Sequence, residues 1–341
     1  MKMLLLDALY INNSGGKILL DYLIDQLEQS NINVCYLLDK RIKNQERNIK
    51  ISNTIYYIEG SLVQRHRFYK MHSTSFNKVL CFGNLPPTVR LKTPVFTYFH
   101  QKLFISIPND MPVRQKITLR LKTIVFKFLQ PHTDYWLVQT DIVKQDFMAK
   151  FSKIESEKVI LMPFFPQIRT GEVEKIERKK HSYVYVSNGS PHKNHIRLID
   201  AFVKFYNIHQ LGELHLTIGT EFSKINAIIQ SLKSQGYPII NRGLINRSEI
   251  AKVYNNAEYL IFPSLSESFG LGLIEAIENG CKVIGADLPY TYAVCNPSIV
   301  FNPLNIDDIV KTLEMTLENN IKPTQQLVYN KIDELIEILK N

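Results

Sequence analysis

The sequence predicts an α/β protein made of two doubly wound domains, each a parallel sheet with helices on both faces. Three observations lead there. Short β-branched and aromatic runs alternate with amphipathic helical patterns along the whole chain, and parallel strands need such crossover helices. The chain has 341 residues, which is room for two domains of about 150 residues and too much for one α/β layer. The polar stretch QIRTGEVEKIERKK, residues 167–180, has no apolar face and reads as the linker between two series.

In the first series, residues 3–9 read as a buried strand, followed by Asn13-Ser14-Gly15-Gly16 and a helix over 17–29. Strands are expected at 34–38, 54–58, 79–82, 95–99, 135–139 and 159–162, and helices over 63–72, 113–129 and 142–151. On the wheel of 113–129, Val113, Ile117, Leu121, Ile124, Val125 and Phe128 form one apolar face. Lys116, Arg120 and Lys127 cluster beside it, and Leu119 and Phe126 project roughly opposite. The plainest expectation is a core helix with a basic outer stripe.

The second series begins with a strand at 183–186 and runs through helix 196–208, strand 214–218, helix 222–235 and strand 239–242. Helix 249–255, with Ser248 as its expected cap, strand 259–262, helix 271–279 and strand 282–285 follow. Helices over 307–317 and 325–340 end the chain. The expected domains are 1–166 and 181–319, with a C-terminal helical segment, 320–341, packing back on the first. Open α/β sheets bind ligands beyond the C-terminal ends of their strands, so two such domains would face each other across a cleft.

Hydrophobic residues make up 45% and charged residues 21% of the chain, the mix of an ordinary soluble protein and not of a disordered or fibrous one. No apolar run approaches the ~18 residues of a spanning helix. The opening MKMLLLDALYINN, interrupted by Asp7, does not read as a signal peptide. Cys35, Cys81, Cys281 and Cys295 form no C-x-x-C and read as reduced thiols of a cytosolic chain. The net charge is +9. Residues 1–166 hold 23 Lys/Arg against 13 Asp/Glu, and the remainder 18 against 19, so the whole excess lies in the first half. A one-sided basic surface fits a polyanionic neighbour: nucleic acid, an anionic membrane or phosphate-bearing ligands. It also fits a surface that is merely solubilising.

The densest chemistry lies in FPSLSESFGLGLIEAIENGCKVIGAD, residues 262–287. A strand enters a Ser-rich loop carrying Glu267. A Ser268-Phe269-Gly270-Leu271-Gly272 turn opens a helix bearing Glu275. The glycines admit close backbone approach, and a helix N-terminus offers free N–H groups to a diphosphate or sugar hydroxyls. Read singly, the two glutamates are equally an acid-rich helix start and a surface carboxylate. A second loop, NGSPHKNHIRLIDAF, places His192, Lys193 and His195 before a helix. Alone it is a solvated loop lysine; at a cleft it suits a phosphate leaving group. Asn13-Ser14-Gly15-Gly16 is not a G-x-G-x-x-G fingerprint and is also a plain βα turn. His100 and Gln101 end one strand, and Gly83-Asn84-Leu85-Pro86-Pro87 ends another. A lone histidine there is often structural, and the Pro-Pro pair also makes a rigid turn.

Together these strings resemble the Glu-(seven residues)-Glu signature of the retaining GT-B glycosyltransferases, in particular glycosyltransferase family 4. Ser264, Glu267, Phe269, Gly270, Leu271, Leu273, Glu275, Ala276, Gly280 and Val283 take the signature's places, while Gly272 and Lys282 stand where prolines are usual. The resemblance implies a GT-B fold, two Rossmann-like doubly wound domains facing a central cleft. It implies a retaining, metal-independent transferase of hexosyl type without cofactor. The sugar would pass from a UDP- or GDP-sugar to a saccharide or lipid-linked saccharide acceptor, in bacterial surface polysaccharide synthesis (capsule, O-antigen or exopolysaccharide).

By the same resemblance Lys193 grips the donor diphosphate, with His192 where many relatives carry arginine. Glu267 orients the donor sugar and Glu275 holds the ribose. Ser268, Phe269, Gly270 and Leu271 line the donor, and the backbone near Leu244 and Ile245 in RGLINRSE holds the base. Gly15 and Gly16 close on the donor phosphates from the first domain. His100 lies near the reacting sugar, with Asn84 and Gln101 on the acceptor side. No D-x-D triplet suited to a metal occurs. Arg114, Lys116, Arg120, Lys122 and Lys127, extended by Arg65, His66, Arg67 and Lys70, suggest contact with an anionic membrane and a cytoplasmic place on its inner face. Three rivals stand. A GT-B epimerase or hydrolase needs a water-activating carboxylate in the first domain, and none is identified. A nucleic-acid-binding protein needs a reader motif, and none is recognised, so no nucleic acid is expected. A catalytically silent sugar-nucleotide sensor is disfavoured by intact Glu267, Glu275 and Lys193.

Overall fold

A computed structural model of the chain describes residues 3–105, 113–168, 177–318 and 320–340. The chain divides into two units, one of Met1–Pro166 with Tyr329–Asn341 and one of Gln167–Val328.

The first unit runs β1 (Met3–Ala8), α1 (Ser14–Gln29), β2 (Val34–Asp39), β3 (Thr54–Ile58), α2 (Leu62–His72), β4 (Phe76–Cys81), β5 (Val95–Phe99), α3 (Val113–Leu129), β6 (Tyr135–Val138), α4 (Asp141–Lys150) and β7 (Val159–Leu161). The second runs β8 (Lys179–Tyr185), α5 (His195–His209), β9 (Glu213–Leu216), α6 (Ser223–Ser234), β10 (Ile239–Asn241), α7 (Arg247–Asn256), β11 (Ala257–Phe262), α8 (Leu271–Glu278), β12 (Lys282–Ala286), α9 (Pro289–Val294), β13 (Cys295–Asn296), β14 (Ile299–Phe301), α10 (Ile306–Met315) and β15 (Gln325–Gln326). Helix α11 (Ile332–Lys340) returns to the first unit.

The two main sheets share one order. The first is β3-β2-β1-β4-β5-β6-β7 and the second β10-β9-β8-β11-β12-β14. Every pairing in them is parallel. Each chain segment winds outward on one side of its first strand, then restarts on the other. The strand order reverses between β1 and β4 and between β8 and β11. Ligands of open parallel sheets bind at the C-terminal strand ends of that reversal. Central strands are covered on both faces and read as unbroken apolar runs; β2, VCYLLD, is buried at every position. The edge strand β3 is exposed or half-exposed throughout.

Helix α3 departs from the sequence expectation. Its apolar stripe is not the core face. Val113, Ile117, Leu121, Ile124 and Phe128 are 72%, 52%, 59%, 63% and 77% exposed, while Phe126 and Leu129 on the opposite side are buried. The Phe126 ring sits 5.8 Å from Phe99, 5.6 Å from Phe104, 5.2 Å from Trp136 and 4.9 Å from Phe151. Phe147, at 6.4 Å, is a fifth aromatic neighbour, and one large ring with five such neighbours outweighs a longer apolar row that stays exposed. Arg65, expected to extend the basic surface of α3, is buried against Asp7. His66 is half-buried and bonded to Thr88.

The C-terminal helix is shorter than expected. Gln325 and Gln326 pair antiparallel with β13, and α11 begins only after Asn330, whose side chain accepts a bond from the Ile332 N–H. Asn330 also donates to the Phe165 carbonyl at 2.8 Å, and Lys78 Nζ donates to the Ile338 carbonyl at 2.5 Å. These bonds hold α11 in the first unit. Strand β8 starts at Lys179, inside the stretch read as linker, of which residues 169–176 lie outside the described residues.

Candidate active site

In the second unit, the loops after β8 and β11 meet at the point of strand reversal. The β8 loop ends in a short 3-10 turn, Pro191–Lys193, and then Asn194 in the left-handed region at φ 62°. Asparagine tolerates that conformation better than most residues. Buried Asn194 donates to the carbonyls of Pro263 at 3.2 Å and Pro303 at 2.7 Å. The Leu265 N–H donates to the His192 carbonyl at 2.7 Å, and Tyr185 Oη to the Lys193 carbonyl at 3.1 Å. The two loops are therefore locked by backbone contacts, and their side chains are placed accurately.

That lock brings Lys193 Nζ to 2.6 Å from Glu267 Oε1, with both side chains mostly buried, at 17% and 13% exposure. His192 beside them is held below the usual histidine range by burial and by the Lys193 charge, so its ring is neutral at pH 7. Lys193 is thus the charged member of the His192–Lys193 pair, and His192 brings a hydrogen-bonding ring. His195, one residue into α5, is buried against Tyr185 with ring centroids 4.8 Å apart; burial pushes it down to about 4.

Helix α8 opens directly beside the loop of Glu267. Its N-cap, Gly270, has φ +77°, and a Cβ there would meet Leu273 Cδ1 at 3.0 Å. A glycine N-cap brings no capping side chain to this helix start, and the Leu273 N–H already bonds the Gly270 carbonyl at 2.9 Å; the positive end of the helix suits an anion. Ser268 is half-buried, Phe269 buried, and Leu271 half-buried at the first helical position. One turn on, the buried Glu275 lies 3.2 Å from Arg247 Nη2. Arg247 opens α7, directly after the Arg242–Asn246 loop on which Leu244 is 75% exposed and Ile245 half-buried. The Arg247 contact thus ties the loop of Leu244 and Ile245 to the carboxyl group on α8. The cap of α7 is Asn246, not Ser248: Asn246 and Glu249 form a reciprocal capping box, and Ser248 donates to the Asn246 side chain.

Burial raises Glu275 to about 7 against the lowering by Arg247 and with a further rise from Glu278. An unfolded glutamate ionises near 4.5, so the native state keeps a proton the unfolded state has lost. Stability is therefore lost as pH rises from about 4.5 to about 7 and is level above. Glu275→Gln is expected to gain on the wild type from pH 5 to pH 8, by on the order of 5 °C in Tm measured calorimetrically. A gap that stays constant or closes would contradict the buried-carboxyl account.

In the first unit, Gly16, Asn84 and His100 come together at the ends of β1, β4 and β5. A Cβ on Gly16 would lie 3.6 Å from His100 Cε1. Gly15 has nothing within 4 Å of that position. Asn84, at φ 65°, accepts from the His100 N–H at 2.7 Å. The His100 ring packs edge-on against Phe82 and Tyr98 and is pushed down to about 4 by burial, hence neutral at pH 7. Gln101 is half-buried and precedes the short turn Lys102–Phe104.

Sequence reasoning quoted Arg247 and Asn194 inside their loops but gave neither a role. Asn194 carried one signal, its place at a strand-to-helix junction. Arg247 carried none, because its partner is distant in the chain. Beneath the Asn84 loop, Arg65 bonds Asp7 and the carbonyls of Leu85 and Pro86 at 2.8 and 2.7 Å.

Residues 168–333 match the family model of glycosyl transferases group 1. The serotype-specific mannosyltransferase WbdA of Escherichia coli is 22% identical over 279 residues, covering 80% of this chain and 34% of its own. The O-antigen chain mannosyltransferase RfbU of Salmonella typhimurium is 25% identical over 187 residues, covering 54% of this chain and 49% of its own. The chain thus spans a third to a half of the length of these relatives. Among solved structures, Anabaena Alr3699/HepE in complex with UDP-glucose superposes with a TM-score of 0.66 at 12% identity, covering 94% of this chain and 90% of that one. The likeness is one of fold, and the fold is GT-B.

Proposed function

We propose that this chain, whose residues 168–333 match the family model of glycosyl transferases group 1 and whose fold is GT-B, is a retaining glycosyltransferase of family 4 type. It moves a sugar from a nucleoside-diphosphate sugar, with UDP as the first choice of carrier, to a saccharide or lipid-linked saccharide of a bacterial surface polysaccharide. One observation carries the reading. Lys193 and Glu267 are locked side by side at the strand reversal, next to the N-terminus of α8 at Gly270, with the Glu275–Arg247 pair one turn beyond. A cation and a helix N-terminus suit a diphosphate, and a carboxylate beside them suits sugar hydroxyls. The names of the mannosyltransferase relatives and of the UDP-glucose complex support sugar transfer in polysaccharide synthesis.

In the proposed reaction the bond between the anomeric carbon and the diphosphate oxygen breaks. Negative charge gathers on the diphosphate, where Lys193 and the α8 N-terminus stabilise it. The acceptor hydroxyl forms the new bond on the face that the diphosphate leaves, and its proton passes to the leaving diphosphate. Glu267 fixes the sugar, Glu275 the ribose, and the backbone near Leu244 and Ile245 the base. Gly15 and Gly16 serve the donor phosphates, and neutral His100, with Asn84 and Gln101, serves the acceptor side. Lys193 supplies the charge that a divalent cation supplies elsewhere, so the proposal is metal-independent.

The test is nucleoside diphosphate release from UDP-glucose, UDP-N-acetylglucosamine and GDP-mannose, with p-nitrophenyl glycosides as acceptor probes and EDTA present. The expected result is release with one donor and an α-linked product by NMR coupling constants. A β-linked product, or turnover that needs added Mg²⁺ or Mn²⁺, would overturn the retaining or the metal-independent part.

A further inference from the structure

Helix α3 carries apolar residues on two faces, and the fold buries only one. At ~100° per residue, Val113, Ile117, Leu121, Ile124 and Phe128 fall within about 80° of arc, in a row roughly 22 Å long. All five are more than half exposed. Half-exposed Lys116 and exposed Arg120 and Lys127 follow one flank of the row, and exposed Arg114 the other. Residues 113–129 contain no acidic residue. The opposite face is fixed to the unit by Phe126 and Leu129. A row this apolar and this exposed is unusual for a monomeric protein and marks an interaction site.

We propose that this face of α3 docks the first unit on an anionic lipid bilayer. Charge decides the occupant. A second copy of the chain would set the flanking Arg114, Arg120 and Lys127 against the same cations, and residues 113–129 hold no acid; Lys122 lies on the far side of the wheel, between Phe126 and Leu129. A bilayer of anionic lipids offers negative headgroups to the flanks and acyl chains to the row, the arrangement of an interfacial helix. None of the described helices is long and apolar enough to cross a membrane, so contact is by the helix face. The first unit holds the whole positive excess of the chain, which adds long-range attraction. The inference stands on the exposure and charge of α3 and is independent of the transfer reaction.

Cosedimentation of the full chain with vesicles tests it. Binding is expected with equal phosphatidylglycerol and phosphatidylcholine at low salt, and loss with pure phosphatidylcholine or at high salt. Ile117→Gln/Leu121→Gln/Phe128→Gln and, separately, Lys116→Gln/Arg120→Gln/Lys127→Gln should each lower the partition coefficient at least about tenfold. Both variants should keep the wild-type circular dichroism and Tm. Absence of binding to anionic vesicles, or equal binding by the variants, would overturn the proposal. So would light scattering that shows a wild-type dimer dissociated by the apolar triple variant, because the row would then belong to a second copy.

Discussion

Lys193→Ala is expected to lower kcat of sugar transfer by about 10²–10³-fold, the usual effect of removing one group that stabilises developing charge. Lys193 is mostly buried and held 2.6 Å from Glu267. Its ammonium is oriented before the donor arrives, so little reorganisation is needed as the diphosphate gains charge. In the proposed reaction a bound diphosphate would compete with Glu267 for the same cation. Lys193→Arg keeps the charge but not the compact ammonium, and should recover only part of the rate. Glu267→Gln frees Lys193 from its partner and is expected to tighten diphosphate binding while lowering kcat. Steady-state kinetics with separate KM and kcat checks this. If Lys193→Ala raised KM alone, Lys193 would be a binding residue with no share in the leaving-group step.

The second large effect is on stability. Asp7 and Arg65 are both about 1% exposed and their charged atoms lie 2.7 Å apart. Tyr69 Oη also bonds Asp7 at 2.6 Å. Removing one member of a buried pair strands the other charge, at a cost of about 3–5 kcal/mol. Arg65→Met is therefore expected to lower the Tm of the first unit by on the order of 10 °C. The double variant Asp7→Leu/Arg65→Met removes both charges and should be clearly less destabilised than the sum of the single variants. Arg65 also bonds the Leu85 and Pro86 carbonyls, next to Asn84, which fixes the His100 backbone. Arg65→Met should accordingly raise KM for the acceptor more than for the donor. Additive single variants would show that the pair is not coupled in solution.

The parts of this fold legible in the sequence are those set by local pattern. Runs such as VCYLLD need cover on both faces, and the strand–helix alternation supplies it. Glu267 and Lys193 stand out through the resemblance of the strings around them to a family signature; read alone, they are a surface carboxylate and a solvated loop lysine. What stayed hidden depends on partners far away in the chain. Helix α3 has two apolar faces, and periodicity counts residues without knowing that Phe99, Phe104 and Trp136 await Phe126. Arg65 reads as one more surface cation until Asp7, 58 positions earlier, is placed beside it. The Glu275–Arg247 pair is hidden for the same reason. At the C-terminus, residues 325–331 have a helical composition, but the strand β13 takes the backbone of Gln325 and Gln326.

The most direct test of the central claim, a nucleoside diphosphate site at Lys193, Glu267 and α8, is calorimetric titration of UDP, GDP and ADP in EDTA. It compares the wild type with Lys193→Ala. Saturation at ~100 times Kd should also stabilise the second unit by about 2.7 kcal/mol, seen as a rise in Tm. The account predicts that one nucleoside diphosphate, UDP first, binds the wild type without metal and that Lys193→Ala loses most of that binding. Equal affinity in wild type and Lys193→Ala, or no binding by any of the three, would contradict it.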